Sequence, residues 1–253
     1  YYGKMKPDYI GFKLSFNSNK FLSSWNVRSK FTNKLSEITT LNYSSRTNIQ
    51  NLKSRYNNIA AFQTRNIPHF GHEAIIQELL KQSDHVVINP VIGPKKKDDL
   101  TIQALDRVYR YLADTKYNNQ ISFIPIYAQM FYAGPREAVH HALLRQRLGF
   151  TKFTVGRDHA GADGFYDPLE ASRVISKNKD ELQISVFCHP GAVFCKECKK
   201  PIILGTCCHN PSQLLDISGT ALRNALKIGE IYEYADLEMQ NFIKREKMEL
   251  FEK

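Results

Sequence analysis

The chain predicts an α/β fold with a Rossmann-like parallel sheet, and three observations carry that expectation. From Asn58 onward, short apolar runs alternate with segments of helical periodicity, the pattern of a parallel α/β sheet. The first run, Ile59–Phe62, passes directly into Gln63-Thr64-Arg65-Asn66-Ile67-Pro68-His69-Phe70-Gly71-His72, a polar turn that opens a helix. A later run, Phe153–Val155, ends in Gly156-Arg157-Asp158-His159-Ala160-Gly161. Ligands of open α/β sheets bind outside the carboxyl ends of the strands, so the two turns are expected to share one crevice.

Taken in order, Tyr9, Ile10, Phe12, Leu14 and Phe16 hint at an alternating strand, and the Ser/Asn-rich remainder up to Lys53 gives weak signals. Residues 1–53 are therefore read as a reduced or truncated N-terminal domain, an α+β remnant. Ile59–Phe62 suits a buried strand, and Ile75, Ile76, Leu79 and Leu80 continue as one helical face. His85–Asn89 is a second strand, followed by a turn over Pro90–Pro94 and the basic run Lys95–Lys97. A helix is predicted from about Asp98 to Leu112, a third strand over Ile121–Ile126, and a helix opened by Gly134-Pro135 that runs to Leu148 and carries His140 and His141. The fourth strand ends at Val155 and a fifth spans Leu182–Phe187. These bounds give a Rossmann-like catalytic domain over 54–187 and a C-terminal subdomain over 188–253. The latter holds a cysteine cluster, the hydroxyl-rich turn Asp216-Ile217-Ser218-Gly219-Thr220 before a helix bearing Arg223, and a charged helical segment from Tyr232.

The turn after the first strand concentrates two histidines and an arginine at a helix start. Backbone N–H groups there lack intrahelical partners and the dipole is positive, so amides, imidazoles and Arg65 can hold an anionic phosphate together. A strand, turn and helix capped by histidine would account for either histidine alone. It does not account for Gln, Thr, Arg, Asn and two histidines in one turn.

Bulk properties bound the partners. At 253 residues and 42% hydrophobic content, the chain can bury a sizeable core without metal or disulfide, and no apolar run approaches the roughly 20 residues that cross a bilayer. The first twenty residues lack a continuous apolar stretch of the signal-peptide type, which makes a cytoplasmic location and no membrane contact the expectation. The net charge of +10 is concentrated early: up to Lys53 there are nine Lys or Arg against Asp8 and Glu37. A solvated basic face accounts for this better than a nucleic-acid surface, because no arginine–aromatic recognition motif accompanies it. All five cysteines fall between Cys188 and Cys208, an odd, clustered set that argues against a disulfide framework. Cys195-x-x-Cys198, Cys207 and Cys208-His209 have the spacing of a small zinc knuckle, with a degenerate loop of reduced thiols as the alternative.

Three motifs in one order resemble the ATP sulfurylases, a His-x-Gly-His nucleotidyltransferase family: Gln63–Asn66 with His69-x-Gly71-His72, then Gly156–Gly161, then Ile217–Thr220 with Arg223. Tyr132-Ala133-Gly134-Pro135-Arg136-Glu137-Ala138 and the Asn89-Pro90 turn also match. The resemblance spans about Arg55 to Gly229. It implies transfer of AMP from MgATP to sulfate, giving adenosine 5′-phosphosulfate and pyrophosphate, a reversible reaction of sulfate assimilation. It further implies that Gln63, Arg65 and the Ala160 backbone hold sulfate. Thr64 and Asn66 would contact the transferring phosphate, and His69 and His72 the β- and γ-phosphates. Arg157, Asp158, His159, Ser218, Gly219 and Thr220 would line the nucleotide pocket. The family's closing Cys-x-His pair maps to Cys207 and His209, completing Cys195 and Cys198 as ligands of a structural Zn²⁺, with Cys208 as the competing fourth ligand.

On this resemblance the partners are ATP, sulfate, adenosine phosphosulfate and pyrophosphate, with no nucleic acid and with assembly as a homo-oligomer. The basic run Lys95–Lys97 departs from the family's Thr-Lys pattern in a mobile loop near the phosphates. No Gly-x-x-x-x-Gly-Lys-Ser/Thr loop occurs, so a fused adenosine phosphosulfate kinase is not expected. Competing readings are a related adenylyltransferase for another phosphate-bearing substrate, a catalytically degenerate paralogue, and a zinc-containing nucleic-acid-binding module. The last leaves both strand-end turns unexplained.

Overall fold

The computed structural model describes residues 41–93, 99–161 and 164–252. The alternating pattern anticipated at Tyr9–Phe16 and the run Lys95–Lys97 lie outside them. A helix, α1, covers residues 41–53. The chain then lays down β1 (Ile59–Phe62), α2 (Phe70–Leu80), β2 (His85–Ile88), β3 (Val91–Ile92), α3 (Ile102–Thr115), β4 (Ile121–Phe123), β5 (Ile126–Tyr127), α4 (Pro135–Leu148), β6 (Lys152–Val155) and α5 (Glu170–Lys177). It continues through β7 (Ser185–Cys188), β8 (Ala192–Cys195), β9 (Lys200–Ile203), β10 (Leu214–Asp216), α6 (Gly219–Ile228) and α7 (Leu237–Arg245).

Five strands form one parallel sheet in the order β4-β2-β1-β6-β7. Successive side chains of a strand face opposite ways, and β1 separates accordingly. Ala60 and Phe62 join a core with Ile76, Leu79, Val108 and Leu112 from α2 and α3, and with Leu222, Met239 and Ile243 from α6 and α7. Ile59 and Ala61 join a second core with Ile49 of α1, Ala138 and Ala142 of α4, and Ile175 of α5. Helices thus cover both faces, which is why the strands read as continuous apolar runs rather than alternating ones. The strand order reverses between β1 and β6, opening a crevice at their carboxyl ends. A separate antiparallel sheet, β10-β8-β9, packs on α2.

Several element bounds differ from expectation for local reasons. The run Ile121–Ile126 is split at Pro125: β4 stays in the main sheet, whereas β5 pairs in parallel with β3, which lies where only a turn was expected. The split is held by Asn89, whose Nδ2 donates to the Ile124 carbonyl (2.6 Å). Helix α3 begins at Ile102 because the Thr101 hydroxyl accepts from the Ala104 amide as N-cap. A 3₁₀ turn over Lys179–Glu181 delays the fifth strand to Ser185, and α5 has no counterpart in the sequence reading.

Asn89 also ties the sheet to α4. It is fully buried, and its Oδ1 and carbonyl accept from Arg145 Nε (2.9 Å) and Nη2 (2.8 Å), while its amide donates to the Phe62 carbonyl (2.8 Å). The Arg145 guanidinium lies over the Phe153 ring, 5.0 Å from its centroid, and burial lowers its pKa to about 9. Removing the Asn89 side chain strands both a buried guanidinium N–H and the Ile124 carbonyl. Asn89→Ala is therefore expected to cost about 3 kcal/mol or more, read as a lower urea midpoint with an unchanged slope.

Candidate active site

The crevice is a cleft of about 510 Å³, lined by the turn after β1, the turn after β6 and residues from five further segments besides α2. From the first turn come Gln63, Thr64, Arg65 and Asn66, with His72 from the first turn of α2. From the second come Gly156 through Gly161. Arg223 of α6 closes one side.

The two histidines of the first turn cap α2 in a reciprocal arrangement. His69 Nδ1 accepts from the Gly71 amide (3.1 Å), and His72 Nδ1 accepts from the His69 amide (3.4 Å). This is a capping box with imidazoles in both places. An Nδ1 that accepts carries no proton, so in the neutral ring the proton sits on Nε2. Each histidine therefore keeps an Nε2–H donor, and that of His72 lies 3.4 Å from the Thr64 hydroxyl at the cleft wall. The rings are 4.0 Å apart. Thr64 Oγ1 also accepts from the Asn66 amide (3.2 Å), and Tyr109 donates to the Asn66 carbonyl (3.0 Å), fixing the turn from below.

In the second turn, Asp158 and Ala160 both lie in the left-handed region, at φ 54° and 53°. Non-glycine residues reach that region only where surrounding bonds hold them. Here the Asp158 amide donates to the Pro168 carbonyl (2.7 Å), and the Ala160 carbonyl accepts from the Gly134 amide (3.0 Å). Gly134 is itself at φ 53°, where an added Cβ would come within 2.5 Å of the Tyr166 ring.

The structure gathers Gln63, Thr64, Arg65, Asn66, His72, Arg157, Asp158, His159 and Ala160 along one cleft. His69 is outside that lining, its ring and the Asn66 amide both lying close to Gly219. Ser218, Gly219 and Thr220 do not reach the lining: the Ser218 hydroxyl accepts from the Ala221 amide as the N-cap of α6, and the Thr220 hydroxyl accepts from Arg223 Nη2 (3.2 Å). Their turn thus aims Arg223, which does line the cleft. Sequence reasoning missed Thr154, Met130, Tyr132 and His189, which line the cleft as well. His189 follows β7 directly, and its position after a parallel strand was the available signal.

Among the described residues, Cys195, Cys198, Cys207 and His209 bring one ligand atom each within 4.8 Å of all the others, and exposed Cys208 stands outside the group. Cys207 Sγ lies 3.6 Å from both other sulfurs, and His209 Nδ1 lies 3.0 to 3.4 Å from the three. A tetrahedron with Zn–S of about 2.3 Å separates its sulfurs by about 3.7 Å, so the set fits zinc. The Cys198 amide, donating to Cys195 Sγ (3.4 Å), lowers that thiol to about 7.

Burial sets the charge of the cleft. It lowers His69 and His189 to about 4, His159 to about 3, and His72 well below the ordinary imidazole range. A histidine whose folded value lies below its unfolded value of about 6.5 contributes stability above pH 6.5, lost as pH falls toward the folded value. Burial also raises the Glu73 and Glu137 carboxyls, which act in the opposite direction. Burial lowers His85, His140 and His141 as well and raises Asp158, so seven histidines stand against three carboxyls, and folding stability is expected to fall by about 1 kcal/mol per pH unit or more from pH 6.5 to 5.5, measured by urea unfolding across that range.

The model of the family described as ATP-sulfurylase matches residues 42–233. A sulfate adenylyltransferase of Ignicoccus hospitalis is 39% identical over 173 residues, which is 68% of this chain and 45% of that protein. One from Carboxydothermus hydrogenoformans is 39% identical over 181 residues, covering 70% and 48%. The chain thus spans about half the length of the curated relatives it matches. Among solved structures, a hexameric APS kinase from Thiobacillus denitrificans aligns over 79% of this chain and 38% of its own, with a TM-score of 0.56 at 16% identity, a likeness of fold alone. With the match running through the α/β body and both strand-end turns, the chain belongs to the ATP-sulfurylase family.

Proposed function

We propose that the chain transfers AMP from MgATP to sulfate, forming adenosine 5′-phosphosulfate and pyrophosphate, and runs the same reaction in reverse. The observation that carries this reading is the convergence of Gln63–Asn66 and His72 with Gly156–Gly161 and Arg223 on one cleft at the switch point of the sheet. The names of the relatives, sulfate adenylyltransferases, agree with it.

Sulfate is a weak nucleophile that needs no deprotonation, so the chemistry calls for alignment and charge stabilisation rather than a general base. Arg65 offers a planar fork for an oxyanion, and Gln63 and the Ala160 backbone complete the sulfate end. Gln63 lines the cleft, and its side-chain amide carries N–H donors suited to an anion. Thr64 and Asn66 face the α-phosphate. The Nε2–H of His72, which lines the cleft at the positive end of α2, receives charge growing on the leaving pyrophosphate, and His69 behind it would reach the outer phosphates only from the side of Gly219. Arg157 and Arg223 neutralise phosphate oxygens from the opposite walls, with Asp158 and His159 on the nucleoside side. Mg²⁺ arrives with ATP and spreads charge over its phosphates. Cys195, Cys198, Cys207 and His209 would hold a structural Zn²⁺ that pins the β10-β8-β9 sheet, which packs on α2 beside the histidine turn. We extend the proposal to a homo-oligomeric assembly in the cytoplasm; no helix among the described residues is long and apolar enough to cross a membrane.

The deciding assay follows ATP made from adenosine phosphosulfate and pyrophosphate by the folded chain. Activity is expected, reduced by about 100-fold or more in Arg65→Ala or His72→Ala, since each removes a group that stabilises transition-state charge. A folded chain without activity would overturn the reading. For the metal, elemental analysis is expected to give about one zinc per chain, lost in Cys195→Ser but retained in Cys208→Ser. Unchanged zinc in Cys195→Ser would remove the ligand set.

A further inference from the structure

Behind the cleft runs a line of buried polar groups that the proposed chemistry does not use. Glu137, in the first turn of α4, has no solvent exposure, and neither of its oxygens is idle: Oε1 accepts from the Phe131 amide (2.8 Å) and Oε2 from the Ala133 amide (2.9 Å). These bonds hold the segment that brings Met130 and Tyr132 to the cleft. One turn further along α4, buried His141 places its Nε2 3.5 Å from Glu137 Oε1, with no hydrogen-bond partner of its own. Its Nδ1 lies 3.0 Å from His159 Nε2, and His159 lines the cleft between the left-handed residues Asp158 and Ala160.

The direction of this line follows from which groups can donate. Burial raises the Glu137 carboxyl, but backbone amides donating to both of its oxygens oppose that shift and leave no lone pair toward them for a proton, so Glu137 stands toward His141 as a carboxylate, which only accepts. The other ionisable groups acting on His141 are Arg145, His159, His140 and Arg65, and the guanidiniums offer no acceptor. The His141 proton therefore sits on Nε2, toward the carboxylate, leaving Nδ1 bare. A bare Nδ1 must receive the hydrogen bond from His159, so His159 carries its proton on Nε2. Burial keeps both rings neutral, so His159 Nδ1 is left as a lone pair.

We infer that Glu137 acts through His141 to fix the tautomer of His159, so that His159 serves the cleft as a hydrogen-bond acceptor and takes an N–H or O–H of the nucleoside rather than an oxyanion. Sulfate and phosphate oxygens would meet that lone pair as acceptor against acceptor. In the proposed substrate the donors are the adenine amino group and the ribose hydroxyls. Glu137 and His141 are then positioning residues, and His159 a specificity residue, on the nucleotide-binding part of the proposed function.

Nitrogen-15 NMR of histidine-labelled protein reads the tautomer without any turnover. His159 is expected as the Nε2–H form in the ligand-free chain, and Nδ1–H would overturn the inference. In Glu137→Gln the amide can donate to His141 Nε2, which reverses the line and moves the His159 proton to Nδ1; an unmoved proton in the folded variant would deny Glu137 its role. The wild-type spectrum decides the tautomer even where that variant fails to fold. Calorimetry with ATP, ITP, 2′-deoxy-ATP and 3′-deoxy-ATP identifies the donor. Loss of about tenfold in affinity with ITP assigns the amino group, and the same loss with either deoxynucleotide assigns that hydroxyl. Equal affinity for all four overturns the acceptor role. Failure of ATP itself to bind would count against the proposed function and leave the tautomer result standing.

Discussion

The structure depends on how the N-terminus of α2 is closed. A helix start leaves amides without partners, and the usual remedy is a short hydroxyl or carboxylate side chain. Here two imidazoles do it, His69 accepting from Gly71 and His72 from His69. The arrangement satisfies two backbone donors and, by occupying both Nδ1 atoms, leaves both Nε2–H groups as donors. A purely structural cap would leave no donor of this kind at the positive end of the helix. The demand for tight closure reaches back into β1 and forward into the small sheet, because α2 is anchored by Ile76 and Leu79 in the main core and carries β8 and β9 on its other side.

Around that turn the fold builds rigidity from buried polar groups rather than from apolar packing alone. Asn89 and Arg145 join the ends of β1, β2 and β4 to α4. Glu137 gathers the amides of the segment before α4, and the Gly134–Ala160 bond links that segment to the turn after β6. The proposed handling of anions in the cleft calls for fixed donors that do not reorganise when charge moves. Neutral histidines belong to the same logic: kept neutral by burial, they avoid crowding like charge beside the arginines and still offer N–H groups.

Under the proposed function the Cys/His group belongs to this support rather than to the chemistry. Its four ligand atoms close on one another at the end of the small sheet, outside the cleft lining. A closed four-ligand set leaves no open coordination position, which suits a structural metal. What it holds in place is a three-stranded sheet with a small apolar core of Val193, Cys195 and Ile202, too slight to stand without help.

Much of this was legible in the sequence because the signals are local. Ile59–Phe62 as a strand, Pro135–Leu148 as a helix begun by proline and ended by glycine, and the polar strand-end turns each follow from propensity, period and capping over a few residues. The ligand spacing of Cys195 and Cys198 is equally local, since two thiolates from one tight turn reach one ion. Long-range pairing was not legible. Nothing near Val91 or Ile126 announces that they pair with each other, and nothing near Asn89 announces Arg145, 56 residues away. His141 reads as an ordinary mid-helix residue until the fold sets His159 against it. The sequence by itself determined the class of fold, the polar histidine turn that caps α2 and the family. Only the tertiary structure decided that Ser218–Thr220 aim an arginine rather than line the cleft, that Cys208 stays outside the metal group, and that a buried glutamate stands behind His159. Those outcomes rest on distances between segments far apart in the chain, which no local pattern encodes.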